Sequence, residues 1–89
     1  MIRAQILADA GHLITSVRAR EYGDASEMHT RIAAIWSALL GHPVMPCQVA
    51  LLMIGLKLAR LAHSPQHKDS WVDAAAYAAL GAELSIGEE

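Results

Sequence analysis

The fold of this chain is decided by residues 56–73, LKLARLAHSPQHKDSWVD, where one apolar segment ends and another begins. Lys57 and Arg60 lie three residues apart before the Ser-Pro break, and the next segment carries two acids four residues apart, Asp69 and Asp73. Residues at these spacings share a helix face, so each pair forms a polar patch. A connection this short folds the second helix back beside the first. The stretch therefore predicts a helical hairpin in which two cations face two acids.

The composition limits the class of protein. The chain has 89 residues, of which 54% are hydrophobic and 18% charged, and it is expected to form one helical domain over residues 1–89. A domain this small buries a modest share of its surface, so we expect homo-oligomerisation to cover the apolar excess. The net charge of −2 argues against a nucleic-acid polymer as partner. Cys47 is the only cysteine, which favours an intracellular protein without a disulfide.

A membrane span is not expected. The longest uncharged run covers residues 32–56, and Gly41, Pro43 and Pro46 interrupt it. A transmembrane helix requires roughly 20 consecutive apolar residues. The sequence therefore predicts a soluble protein with no membrane partner.

The apolar spacing predicts an all-α fold of four helices. Two apolar stripes at helical spacing define the first two helices. Their members are Ile6, Ala10, Leu13, Ile14 and Val17 in the first, and Met28, Ile32, Ile35, Trp36 and Leu39 in the second. Asp24 and Glu27 have the spacing of a capping box at the start of the second helix, and Gly41 is typical of its end.

Prolines mark the limits of the third helix. Pro46 suits its first turn and Ser64-Pro65 ends it, and nearly every position between is apolar, as in the central helix of a bundle. The fourth helix is expected to start near Asp69 and to pack through small residues. That stripe comprises Trp71, Ala74, Ala75, Ala78 and Ala82. Residues 85–89 are expected to form a frayed tail.

The charged residues of the hairpin are the first ligand-binding candidates. Arg60 offers a planar fork and Lys57 a point charge, a combination that suits phosphate. Ion pairing with Asp69 and Asp73 is the alternative, and both can hold together. The two acids are also candidate Mg²⁺ ligands. Asp69 is alternatively the helix N-cap, whereas Asp73 lies inside the helix, where capping does not explain it.

Aromatic and histidine side chains complete the candidate set. Tyr22 lies in a predicted turn and is the candidate for stacking on a base. Trp36 and Trp71 fall on apolar stripes, so core packing is expected for both. His67, between the last two helices, is included as a ligand-binding residue. It has zinc-pair spacing from His63, but the intervening proline breaks that geometry.

Several segments together resemble a family of small uncharacterised phage and prophage proteins. They are REYG at 20–23, RIAAIW at 31–36, VA at 49–50, KLAR at 57–60 and HKDSWVD at 67–73, with Tyr77. The resemblance spans about residues 18–84. It implies a phage-type protein in the cytoplasm of a bacterial host and carries no agreed activity.

The last two helices are more distantly similar to the MazG-type all-α nucleotide pyrophosphohydrolases. That resemblance implies a MazG-like bundle and a Mg²⁺ site built from two motifs, EExxE and EExxD. Residues 69–73, DSWVD, match the second motif at its first and last positions. Lys57 and Arg60 stand where the first motif would supply acids. Two cations there attract phosphate and repel Mg²⁺.

The favoured function is a nucleotide-binding module that holds or sequesters a phosphate-bearing small molecule, for example a host-defence nucleotide signal. Lys57 and Arg60 would contact phosphate, and Tyr22 would stack on a base. Asp73 would orient a cation or bind a sugar or base edge.

Two alternatives stay open. One is a Mg²⁺-dependent nucleotide pyrophosphohydrolase, with Asp69, Asp73 and either Glu21 or Glu27 around the metal. The other is a protein-interaction bundle in which the same charges form internal ion pairs.

Overall fold

The computed structural model describes residues 1–15 and 24–87. Four α-helices occupy them: α1 Ile2–Thr15, α2 Ala25–Leu40, α3 Pro46–His63 and α4 Lys68–Ile86. These residues contain no β-strand, so the all-α prediction is confirmed. The predicted end of the first helix, together with Val17 and Tyr22, lies outside the described residues. None of the described helices is long and apolar enough to cross a membrane.

Local chemistry sets the limits of α2 and α3 as the sequence predicts. Gly41 adopts the left-handed conformation, with φ 74° and ψ 20°, and its N–H donates to the Ser37 carbonyl. Only glycine takes this conformation without steric cost, so Gly41 ends α2. Pro46 occupies the first turn of α3. The Ser64 N–H donates to the Arg60 carbonyl at 2.8 Å, where α3 ends.

The start of α2 differs from the prediction. Asp24 is the N-cap residue, but its side chain makes no capping hydrogen bond. Its Oδ2 instead accepts a hydrogen bond from the Ser26 hydroxyl, and Glu27 is exposed. The expected capping box therefore does not form, because the hydroxyl two residues away takes the Asp24 carboxylate.

The fourth helix, α4, begins at Lys68, as the predicted start near Asp69 indicates, but its N-cap and its end differ from the prediction. The N-cap residue is His67, and Asp69 lies in the first turn rather than at the cap. A carboxylate in the first turn is still favourable, because the amino end of a helix carries partial positive charge. The helix continues through Ile86, so it includes the first two residues of the segment that was expected to fray.

The core lies along α4. The most extensive packing joins α4 to α3, with α1 lying against α4 and α2 against α3. Val49 and Ala50 are completely buried on α3. A hydrophobic cluster forms where α1 crosses α4. Its members are Ala10, Val72 and Ala76, with Ile6, Ile14 and Ala75 packed against them.

The helices α3 and α4 come close together at Gly81. A Cβ added to Gly81 would lie 3.1 Å from the Cβ of Ala50, nearer than side chains normally come. The sequence predicted that a stripe of small residues on the last helix, Ala74 to Ala82, would admit another backbone. The position that does so is Gly81, which the predicted stripe did not contain.

The buried face of α4 is not the predicted one. The structure buries Ser70, Val72, Ala76 and Leu80, whereas Trp71 is 47% exposed. The predicted small-residue stripe, with Trp71 in the core, is therefore wrong. The reason is that alanines occur all around α4, so apolar spacing alone does not select a face.

Much of the apolar surface of α2 and α3 is exposed. The third helix was expected to be central, yet only Val49, Ala50 and Leu61 of α3 are buried. The large apolar residues left at least 46% exposed on these helices are Ile35, Leu39, Leu40, Leu51, Leu52, Leu56 and Leu58. The second apolar stripe is therefore only partly internal, with Ile32 and Trp36 half-buried.

Candidate functional site

An ion pair joins the middle of α3 to the first half of α4. The Nζ of Lys57 lies 3.0 Å from Oδ2 of Asp73, and the two side chains are 13% and 31% exposed. The prediction that a cation of the hairpin faces an acid is confirmed for this pair. Water screens a largely buried pair poorly, so the charges interact more strongly than a surface pair would.

Arg60 points elsewhere, although it is one helical turn from Lys57. It is exposed, so the expectation of partial burial beside the acids is wrong for this residue. Three residues along a helix correspond to about 300° of rotation, which leaves the two side chains roughly 60° apart. That angle is enough to place Lys57 in the helix interface and Arg60 outside it.

Arg60 lines an open cleft at the end of the hairpin, which we call the Arg60 cleft. Its volume is about 420 Å³, and it is lined by Ala59, Arg60, His63, Ser64 and His67. All five residues are exposed, and no carboxylate of the described residues is among them. The structure thus brings together two predicted ligand-binding residues, Arg60 and His67, and adds His63.

A buried hydroxyl orients His67 in this cleft. Its Nδ1 lies 2.7 Å from the Oγ of Ser70, and Ser70 is completely buried. The Ser70 N–H also donates to the His67 carbonyl at 3.2 Å. With Nδ1 engaged, Nε2 is the ring atom that can meet a ligand. The predicted stripe on α4 left Ser70 out, because a serine next to Asp69 gives no local sign of burial.

A second cleft, the acidic cleft, lies between α1 and α4. Its volume is about 350 Å³, and it is lined by Asp9, His12, Leu13, Asp69, Val72 and Asp73. Asp9 was absent from the predicted site. The sequence feature that could have identified Asp9 is its position immediately beside the apolar stripe of the first helix. That position indicates a site only when α1 is known to lie against α4.

Two neighbours stabilise the charged form of Asp9. The Gln5 amide donates to Oδ1 at 2.8 Å, and the Lys68 ammonium lies 3.1 Å from Oδ2. The amide hydrogen bond first, and Lys68 second, hold the pKa of the Asp9 carboxyl below its ordinary value. The aspartate is therefore ionised over the whole neutral range.

The carboxylates of the described residues do not fit the Mg²⁺ site that the MazG resemblance implies. The Lys57 ammonium already lies against Asp73, in the position that a divalent cation would have to share. Within residues 1–15 and 24–87, no group of three or more histidine, cysteine or acidic side chains could hold a metal ion. Glu21 and Tyr22, the other residues named for catalysis and stacking, lie outside the described residues.

A buried histidine was also missed. His29 is 5% exposed, and its Nδ1 donates to the Ala25 carbonyl at 2.9 Å. Its ring lies 5.9 Å from that of Tyr77, so it packs α2 against α4. Its position one turn before the buried Ala33 was the signal.

These features define an all-α protein whose hairpin carries a largely buried ion pair and, beside it, an open cleft with a cationic residue. The chain belongs to the family described as Domain of unknown function (DUF6378), whose model matches residues 5–85.

Phage proteins are among its relatives. The chain is 41% identical over 85 residues to the Gene 55 protein of Mycobacterium phage L5, covering 94% of this chain and 54% of that protein. It is 38% identical over 73 residues to the Gene 55 protein of Mycobacterium phage D29, covering 82% and 48%. The chain thus spans about half the length of these relatives. The resemblance to a small uncharacterised phage protein family is confirmed.

Similarity also extends to one stretch of a much larger protein. The chain is 43% identical over 58 residues to the fatty acid synthase subunit beta of Aspergillus oryzae, covering 64% of this chain and 3% of that protein. No solved structure matches the chain. The MazG-type similarity stays a prediction.

Proposed function

We propose that the protein binds a phosphate-bearing small molecule, in the first instance a nucleotide, at the Arg60 cleft. The observation that carries this proposal is the meeting of Arg60, His63 and His67 in one open cleft that no described carboxylate lines. A guanidinium presents paired donors that match phosphate oxygens, and imidazole N–H groups add further donors. The cleft therefore supplies the donors that an anionic group needs.

The sequence predicted that Lys57 and Asp73 contact the ligand directly, and this proposal gives them a different role. Because they pair with each other at 3.0 Å, we assign them to positioning rather than to direct ligand contact. Their pair fixes α4 beside α3, which sets His67 at the start of one helix beside Arg60 near the end of the other. Tyr22 remains the proposed stacking residue for the base.

The phage relatives support a proposal about biological context. A phage protein that holds a nucleotide without consuming it would lower the free concentration of that nucleotide in the bacterial cytoplasm. We propose this sequestration, with a host-defence nucleotide signal as the ligand class.

The alternative is a Mg²⁺-dependent nucleotide pyrophosphohydrolase. The observation in its favour is that Asp9, Asp69 and Asp73 line one cleft. The observation that weighs against it is the Lys57 ammonium on Asp73, which repels a divalent cation. Binding is therefore the function that the geometry supports better.

We further propose that a second copy of the chain covers the exposed apolar residues of α2 and α3. No Asp, Glu, Lys or Arg occurs between Arg31 and Lys57, so the second half of α2 and the first half of α3 offer a surface without these charges. Such a surface is complementary to itself, and symmetric association of like surfaces is the commonest way in which proteins bury one.

Thermal unfolding in the presence of nucleoside mono-, di- and triphosphates and cyclic dinucleotides, with and without Mg²⁺, tests the binding proposal. A ligand that binds only the folded protein stabilises it by about 2.7 kcal/mol at a hundred times its Kd. We expect Arg60→Gln to abolish most of this effect. Arg31→Gln, at an exposed position on α2, is the matched control and should leave it unchanged.

Three results would decide against the proposal. They are a wild-type protein that no nucleotide stabilises, equal stabilisation of the Arg60→Gln variant, and steady turnover. Mg²⁺-dependent release of pyrophosphate by the wild type, lost in Asp73→Asn, would establish the alternative instead.

A further inference from the structure

A third cleft lies on the other side of the turn between α3 and α4, and we call it the Trp71 cleft. Its volume is about 420 Å³. Ile2, Ile6 and Pro65 form its apolar wall. The rest of the lining comprises Arg3, Gln66, Lys68 and Trp71. It shares no lining residue with the Arg60 cleft. Whatever binds in one cleft can therefore be tested separately from the other.

Trp71 is exposed and held in place at the same time. Its side chain is 47% exposed, and its Nε1 donates a hydrogen bond to the Pro65 carbonyl at 2.9 Å. Because the N–H is already satisfied, the exposed part of the indole is largely its carbon surface. A ring that is fixed in advance can stack on a ligand without first losing conformational freedom.

The charge around Trp71 is positive. Arg3 is exposed, and its Nε contacts the Sδ of Met1 at 2.8 Å, a neutral atom that leaves the guanidinium charge uncompensated. Lys68 is paired with Asp9 at 3.1 Å but is still half exposed. Asp9 does not line the cleft, and neither does any other described carboxylate.

We propose that the Trp71 cleft binds a small flat aromatic ring that carries an anionic group. The ring stacks on the indole against the apolar wall, and Arg3 and Lys68 hold the anion. Each part of the lining is then used: an uncharged ring would leave the Arg3 guanidinium without an anionic partner, and a bare anion would leave the indole exposed. Both a nucleotide and an aromatic carboxylate have this chemistry.

The fluorescence of Trp71 tests the proposal directly. Trp36 is the other tryptophan, so a Trp36→Phe variant reports on Trp71 alone. This variant is titrated with adenosine 5′-monophosphate and with benzoate, which separate the two ligand sources. Adenosine supplies the ring without the anion, and inorganic phosphate supplies the anion without the ring.

We expect a saturable change in emission with at least one of the two aromatic anions. Adenosine and phosphate should bind at least tenfold more weakly, because each lacks one of the two contacts. Adding Arg3→Gln should weaken the binding of the aromatic anion by about tenfold, because one charge-assisted contact is lost. Adding Arg31→Gln, at an exposed position on α2, should leave the affinity unchanged, because Arg31 lines neither this cleft nor the Arg60 cleft.

The proposal fails if neither aromatic anion gives a saturable change, or if adenosine binds as tightly as its phosphate and benzoate does not bind. It also fails if Arg3→Gln has no effect, or if Arg31→Gln weakens binding as much as Arg3→Gln does. Circular dichroism checks that each variant folds. If Trp36→Phe does not fold, calorimetric titration of the wild type and of Trp71→Leu gives the same comparison.

Discussion

Two ion pairs that involve α4, Lys57–Asp73 and Lys68–Asp9, differ in burial, and that difference decides how much each contributes to stability. Lys57 and Asp73 are 13% and 31% exposed, whereas Lys68 and Asp9 are 50% and 35% exposed. An exposed pair contributes little, since water and salt screen it. The Lys57–Asp73 pair is thus the one expected to matter for stability.

Asp73→Asn should lower the free energy of unfolding by roughly 1–3 kcal/mol, because it leaves the Lys57 ammonium buried without its counter-charge. Urea unfolding measures the change. In a Lys57→Met background the same substitution should cost clearly less, which isolates the pair interaction. Asp9→Asn is the matched control at the exposed pair and should have the smaller effect. Equal losses for both acids would contradict this assignment.

Asp9 predicts a pH dependence with a definite sign. Its pKa is lowered in the folded protein, so its contribution to stability is fully present above the unfolded value of about 3.9. The contribution is lost as the pH falls below that value, through the folded pKa. Thermal unfolding between neutral and acidic pH should therefore show a shallower acid loss for Asp9→Asn than for the wild type. If stability falls with pH equally in the wild type and in Asp9→Asn, the Asp9 carboxylate does not contribute to the pH dependence.

The limits of the helices were more predictable than the faces that they bury. Gly41, Pro46 and Pro65 act through their own backbone chemistry, which needs no knowledge of neighbouring helices. The buried face of α4 depends on where α1 and α3 pack, and an alanine-rich helix carries little information about that. The same reason explains why Trp71 was expected in the core.

The candidate site was predicted in part for a related reason. Spacing indicated that Lys57 and Arg60 share a helix face, and Lys57 does meet Asp73 as expected. The rotation between the two cations is fixed by helix geometry, but which of them lies in the interface depends on how α4 packs against α3. Asp9 comes from a helix distant in sequence, so no local pattern connected it to the hairpin.

The helix pair α3 and α4 should be sensitive to a side chain at Gly81. Gly81→Val places atoms against Ala50, whose Cβ is already within 3.1 Å of an ideal Cβ at Gly81. Overpacking of this kind typically costs roughly 1–3 kcal/mol. A Cβ added to Gly11 on α1 would meet nothing within 4 Å, so Gly11→Val should be neutral or slightly stabilising, because glycine is a poor helix former. Chemical denaturation of both variants tests this, and equal stabilities would count against the close approach.

For the whole molecule, the prominent feature is the uncharged surface of α2 and α3. Sedimentation velocity at low micromolar concentration should show a species heavier than one chain. The double variant Leu39→Lys/Leu51→Lys places charge on two residues that are 78% and 64% exposed and should sediment as a single chain. Leu7→Lys, at a 69% exposed position on α1, is the control and should leave assembly intact. Sedimentation of the wild type as a single chain only would contradict the proposed self-association.

The hairpin is fixed in register at two separate points, Ala50 against Gly81 and Lys57 against Asp73. A slide of one turn, about 5.4 Å, would bring Tyr77 or Leu84 against Ala50 and would separate the ion pair. The turn at 64–67 is therefore not what aligns the helices. Lengthening a surface turn is inexpensive, since each doubling of loop length costs only about 0.6 kcal/mol. Because this turn borders both the Arg60 and the Trp71 clefts, mutation can diversify ligand preference there while the helix pair keeps its alignment.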